Sequence, residues 1–243
     1  MRLSKSWDVA SKDLKVFLRK KNVIVSILAF PLFVSILLTF VVEFISSAGS
    51  STAEALLVLL PSFTFYFAII AAILPTTIAS YSLVGEKMEK SLEPLLATPM
   101  TDEEILFGKG IAAFLPPILA TFLGAAVFMV STDILAHSMF GYYFPNLGAL
   151  VILLLLVPLS AIMSIEVNVM ISSRVSDVRV SQQLGFLSVL PMAGIYLASE
   201  LGMISLDITS LLMVSSLLMI ADLLLLYIAR AIFSRDEILT KWK

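Results

Sequence analysis

Apolar positions run almost unbroken through most of this 243-residue chain, and the polar ones gather in short segments between the runs. A helix needs roughly 20 apolar residues to cross a hydrocarbon core of about 30 Å. Six runs meet or approach that length, at about 22–46, 56–84, 105–132, 146–172, 182–199 and 208–232. The first begins NVIVSILAFPLFVSILLTFVV, the last reads ITSLLMVSSLLMIADLLLLYIARAIF, and the fifth, QQLGFLSVLPMAGIYLAS, is the shortest. The expected fold class is an all-α integral membrane protein of six transmembrane helices, a single transmembrane domain over 1–243.

Ahead of the first run, residues 1–21 follow a different period. MRLSKSWDVASKDLKVFLRKK sets Leu3, Trp7, Ala10, Leu14 and Phe17 at helical spacing, with Lys5, Asp8, Lys12, Lys15 and Arg19 mostly on the other side. This predicts an amphipathic helix lying on a membrane surface. The first apolar run is too long, and lacks the A-x-A site, for a cleaved signal peptide.

The segment between runs two and three also has a pattern of its own. GEKMEKSLEPLLATPMTDEEILFGK, residues 85–109, holds nine acidic and basic side chains. Within it Met88, Leu92, Leu95 and Leu96 form a helical apolar stripe. Pro94 fits the first turn of a short helix capped by Ser91, and Pro99 ends that helix. Thr101 followed by Asp102, Glu103 and Glu104 then reads as a capping box opening the third span. The expected shape over 85–104 is helix, bend, short amphipathic helix, bend, helix. Its leucine stripe has nothing of its own to bury against, and its acids are repelled by an anionic leaflet. A groove in a cytosolic protein suits it better.

Composition agrees with the pattern: 59% hydrophobic residues, 14% charged, and a mean hydropathy of +1.02. Where the charges lie is more informative. All 16 Lys and Arg fall before span one, around 85–109, between spans four and five, or at the C-terminal end. The alternate loops carry Glu43, Glu54, Asp133, Glu200 and Asp207 and no base. By the positive-inside rule both termini are expected in the cytoplasm, with 233–243 as a cytoplasmic tail.

Several chemistries are disfavoured. There is no Cys for a disulfide or thiolate site, and the single His137 anchors no multi-histidine centre. No nucleophile or zinc-protease motif is present, so no catalytic, cofactor-binding or metal-binding residue is expected. The stretch Gly85-Glu-Lys-Met-Glu-Lys90-Ser91 lacks the glycine and the preceding strand of a phosphate-binding loop.

Two carboxylates do lie inside spans. Glu166 and Asp222 each stand eight residues before an arginine, Arg174 and Arg230, which places both about 12 Å from the same membrane boundary. A charge facing lipid there would cost on the order of 3 kcal/mol, so both are expected to face the interior or water. They read as part of a cation or polar-substrate route, as a structural hydrogen-bonded pair, or as protonated acids capped by Ser or Thr. Gly194, Ala198 and Gly202 recur at four-residue spacing, allowing close helix approach within one subunit or across a dimer seam. Prolines 31, 61, 75, 116, 117, 158 and 191 interrupt the spans.

Residues 85–109 resemble the segment after the second span in permease subunits of ABC-type exporters of the type 2 class. There the pattern E-x-x-x-[GS]-[ST]-L-E-x-L-L-[AV]-[TS]-P-[ILVM]-[ST]-x-x-E-[IL] recurs. Glu86 or Glu89, Ser91, Leu92, Glu93, Leu95, Leu96, Ala97, Thr98, Pro99, Met100, Thr101, Glu104 and Ile105 fit it, with Lys90 where Gly or Ser is common. The resemblance implies a non-catalytic permease half that lies in the cytoplasmic membrane and binds no cofactor itself. It would work with a second permease copy and with cytosolic ATPase subunits that bind ATP and Mg. Leu92, Glu93, Leu95 and Leu96 would then form the coupling helix docking in the ATPase, residues 1–21 the connecting helix, and spans one and five, including Gly194 and Ala198, the dimer contact. Two rival readings remain at this point: a gradient-driven carrier or channel using Glu166 and Asp222, and a membrane-embedded enzyme or assembly factor.

Overall fold

The computed structural model describes residues 3–47, 53–88 and 100–232, and no strand occurs among them. The helices are α1 (Leu3–Arg19), α2 (Lys21–Ser47), α3 (Ala53–Met88), α4 (Asp102–Leu135), the single turn α5 (His137–Phe140), α6 (Leu147–Arg174), α7 (Val178–Glu200) and α8 (Ile208–Ile232). Among the described residues, α2, α3, α4, α6, α7 and α8 are each long and apolar enough to cross a membrane. Their number and positions are those expected from the hydrophobic pattern. The stripe residues Leu92, Glu93, Leu95 and Leu96, and the tail 233–243, lie outside the described residues.

Local chemistry sets the helix ends. The capping box forms as expected: Thr101 Oγ1 accepts the Glu104 N–H at 3.2 Å, and the Thr101 N–H donates to Glu104 Oε2 at 3.1 Å. Asn146 caps α6 by accepting the Ala149 N–H at 2.8 Å, and Asp177 caps α7 through the Arg179 N–H at 2.6 Å. Two prolines leave visible marks on the hydrogen-bond ladder. Before Pro158 the helix widens to a π segment, Ile152–Leu156, in which the Val157 N–H reaches back to the Ile152 carbonyl. Before Pro191 it tightens to a 3-10 segment, Phe186–Val189, and the Leu187 carbonyl that Pro191 cannot satisfy accepts the Leu190 N–H instead.

At the centre of the bundle α3 packs along α6, with α4 beside both. α2 lies on α4, α7 on α3 and α6, and α8 on α6. Phe65, Phe67, Phe128, Leu56, Leu60, Ile70 and Ile152 are wholly enclosed. Phe128 is the hub, with ring centroids 5.8 Å from Phe67, 5.8 Å from Phe144 and 6.4 Å from Phe63. Three contacts gather the lysine- and arginine-bearing termini at one end of the bundle: Asp13 with Lys109, Lys20 with Tyr81, and Glu103 with Arg230.

The N-terminal segment is helical, but its buried face differs from the expected one. Ser6, Val9, Ala10, Asp13 and Phe17 are buried, and α1 packs chiefly on α4. Trp7 and Leu18 are exposed, and Leu14 is half-buried between the two groups. At about 100° per residue the helix therefore has three arcs: one against α4, an adjoining apolar arc through Trp7, Leu14 and Leu18, and a charged arc with Lys5, Asp8, Lys12, Lys15 and Arg19. Sequence periodicity merged the first two, because Ala10 and Phe17 continue the apolar stripe of Trp7 and Leu14. Close approach is possible because α4 carries Gly108 at the crossing. A Cβ there would lie 2.6 Å from the Ser6 carbonyl oxygen and 2.7 Å from Val9 Cβ.

Candidate functional site

The helix α6 carries polar side chains on two sides, and the bundle treats them differently. Towards α3 and α7 the polar groups are mutually satisfied. Ser80 donates to Asn168 Oδ1 at 2.9 Å, and Asn168 Nδ2 donates to the Ser164 carbonyl at 2.7 Å. Thr76 and Ser164 hydroxyls pair at 3.2 Å, and Ser188 donates to both Ser164 Oγ and the Gly185 carbonyl. Asn168 thus points away from Glu166, as two residues' separation on a helix requires.

On its other side α6 forms the floor of a cleft between α4 and α8, with a volume of about 430 Å³. Glu166 from α6 and Asp222 from α8 both line it, only 8% and 6% exposed. The two helices that carry them pack against each other. Among the described residues, neither oxygen of Asp222 nor Oε2 of Glu166 has a hydrogen-bond partner. The structure therefore brings together at one cleft the two intramembrane acids singled out in the sequence, with these three oxygens unpaired among the described residues. The remaining walls are largely apolar, with Phe107 and Phe114 from α4, Leu159 and Ile162 from α6, and Met219 and Leu223 from α8 among them. Phe107, Met219 and Leu223 are also exposed on the outer surface of the bundle. Arg230 and Glu103 stand at one end of the cleft, 3.8 Å apart and each about half exposed.

The other sequence candidates separate cleanly. Leu92, Glu93, Leu95 and Leu96 are outside the described residues, yet both flanks of their segment are described and both touch the α1 region. Upstream, Lys20 Nζ lies 3.2 Å from the Tyr81 hydroxyl and 4.4 Å from the ring centroid. Downstream, Lys109 pairs with Asp13 at 3.4 Å. Gly194 meets no atom within 4 Å of its missing Cβ and lies on the surface of α7, with Ala198 half-buried one turn on. Among the described residues nothing would meet a side chain at Gly194. Gly202 sits beyond the helix at φ +71, a turn position that favours glycine.

Sequence reasoning missed the Asp13–Lys109 pair, having counted Lys109 only as a topology-setting charge. A signal was present: Lys109 lies about two turns into α4, between Gly108 and Gly110, and Asp13 falls outside the charged arc of α1.

A model of the ABC-2 family transporter protein matches residues 7–213 of the chain, from α1 into α8. The chain belongs to the ABC-2 family. As an ABC-2 permease it is a multi-pass membrane protein of a family whose members are generally the non-catalytic membrane subunits of ABC transporters, and an ATPase partner is implied. No curated protein matches the sequence. The matched region takes in Asp13, Tyr81, Lys109 and Glu166.

Proposed function

We propose that this ABC-2 permease is one half of an ATP-driven exporter in the cytoplasmic membrane, with both termini in the cytoplasm. A separate cytosolic subunit binds ATP and Mg, and two permease halves move substrate outward. The observation that carries the reading is family membership together with the N-terminal ties on either side of the segment 89–99. Lys20–Tyr81 and Asp13–Lys109 join α1 to the end of α3 and the start of α4. A displacement of the intervening leucine stripe by the ATPase would then move α1, α3 and α4 together rather than being lost in a loose loop.

For the second permease copy the supporting surface is α2 with α7. Phe33, Phe40 and Phe44 on α2 and Leu187, Leu190 and Leu197 on α7 are exposed apolar side chains, and Gly194 leaves room for a neighbouring helix.

The decisive experiment is co-purification. Tagged wild-type chain is expected to bring down an ABC ATPase, and Leu95→Arg is expected to lose it while still inserting in the membrane. Retention of the ATPase by that variant would refute the docking assignment. The gradient-driven carrier reading keeps one supporting observation, the unpaired acids, and predicts substrate movement by the chain without any ATPase.

A further inference from the structure

We propose that the cleft between α4, α6 and α8 binds an amphipathic organic cation, its positive charge held between Glu166 and Asp222 and its apolar body against Phe107, Ile162 and Leu223. Calling that ligand the transported cargo rests on the permease reading above; its binding to this chain does not.

Four observations converge. First, the cleft has the size of small-molecule sites, about 430 Å³. Second, its two carboxylates are more than nine-tenths buried, and Glu166 Oε2 and both Asp222 oxygens have no hydrogen-bond partner among the described residues, whereas the buried polar groups of α6 that face α3 and α7 are paired. An ionised acid pair buried without donors is a large free-energy cost, relieved either by protonation or by positive charge arriving from outside the chain, and an apolar-bodied cation is the ligand that matches the second route. Third, among the described residues the one cationic side chain lining the cleft, Arg230, is at its end and lies against Glu103, so it does not compensate the acids. Fourth, the rest of the wall is hydrocarbon and aromatic and reaches the outer surface of the bundle at Phe107, Met219 and Leu223. A ligand partitioned in the bilayer could enter there without crossing the charged end.

The donor set distinguishes an organic cation from an inorganic one. A calcium ion takes six to eight oxygen ligands at roughly 2.3–2.6 Å, and magnesium keeps several waters. Among the described residues no group of three or more acids or histidines could hold a metal. Two carboxylates in an apolar wall match a quaternary or delocalised cation, which needs charge compensation and apolar contact but few oxygen ligands.

The test is equilibrium binding to the full chain in phosphatidylcholine nanodiscs, with radiolabelled tetraphenylphosphonium and, separately, ethidium as probes. Saturable binding near one probe per chain is expected for at least one of them. The double variant Glu166→Gln with Asp222→Asn should weaken it by about 10- to 100-fold, the range expected for loss of charge-assisted contacts. Tetraphenylborate, the same shape with opposite charge, should neither bind nor compete.

A second variant covers the case in which the acid substitutions disturb folding. Gly110 lines the cleft, and a Cβ there meets only Ile165 at 4.0 Å, so Gly110→Leu should fill the space with both acids intact and also abolish binding. Leu95→Arg should lose the ATPase and keep the probe, which separates this site from the permease reading. Absence of saturable binding by both probes, binding unchanged in both cleft variants, or displacement by millimolar sodium would each overturn the proposal. Phospholipid found in the cleft of wild type and acid variants alike would do the same.

Discussion

Lys109 Nζ on α4 lies 3.4 Å from Asp13 Oδ2 on α1, with both side chains almost wholly removed from solvent. Removing one partner of a buried pair takes away compensation from the charge that remains and costs up to about 3–5 kcal/mol. Asp13→Leu is therefore expected to loosen α1 from α4 and lower the thermal midpoint of the purified chain. Asp13→Leu with Lys109→Met should recover much of the loss, because apolar residues of similar volume replace such pairs well. Midpoints measured by the loss of monodisperse protein on heating would show it; a double variant as unstable as the single would contradict this account.

The pair at the cleft end should behave differently. Arg230 and Glu103 are 3.8 Å apart and half exposed, a geometry worth less than about 1 kcal/mol. Glu103→Gln is expected to leave the thermal midpoint nearly unchanged, and any small shift should vanish in high salt. A loss comparable to that of Asp13→Leu would mean that Glu103 has a structural role beyond this contact.

Asp133 near the end of α4 is buried and accepts the N–H groups of Tyr143 and Phe144, at 3.0 and 3.1 Å, on one carboxylate oxygen. Asp133→Asn keeps an oxygen able to accept both and is expected to be tolerated. Asp133→Ala strands two backbone donors and should cost about 2–4 kcal/mol, since each unsatisfied buried group costs roughly 1–3. Protease sensitivity of the 136–146 connection would report the difference; equal resistance of the two variants would exclude the capping role.

Two glycines of α7 separate internal from external surfaces. A Cβ on Gly185 would overlap the Asn168 side chain, so Gly185→Ala forces the polar network of Ser80, Asn168 and Ser164 apart and should cost about 1–3 kcal/mol. Gly194→Ala meets open space and should leave the isolated chain at least as stable. The comparison is read from the two thermal midpoints at one detergent concentration, and reversal of their order would be incompatible with the packing described.

The chain contains no cysteine, so single introduced thiols report sidedness without background. Cysteines at Ser11 or Arg179 are expected to react with an impermeant maleimide only in inverted vesicles. Cysteines at Tyr142 or Met203, both well exposed, should react only in intact cells. Labelling of Ser11→Cys and Tyr142→Cys from the same side would exclude the proposed orientation.

Much of this architecture was legible along the chain because its causes are local. Bilayer thickness fixes the length of each apolar run, so the number and positions of the spans followed from hydropathy. The Thr101–Glu104 box closes within one turn, and the prolines at 158 and 191 act on carbonyls four residues back. Glu166 and Asp222 were conspicuous because charge inside a span is costly.

What the sequence left open is how the helices are turned about their axes. In a bilayer the lipid-facing and protein-facing sides of a helix are both apolar, so periodicity carries little information about rotation. Only packing decided that Asp13 of α1 turns inward to Lys109 while Trp7 faces out. Packing also set Asn168 into a satisfied network and Glu166, two residues before it, into an unsatisfied cleft with Asp222. The acids were determined by the sequence; their meeting in one cleft, with no hydrogen bond to Glu166 Oε2 or to either Asp222 oxygen among the described residues, was decided by the crossing of α4, α6 and α8.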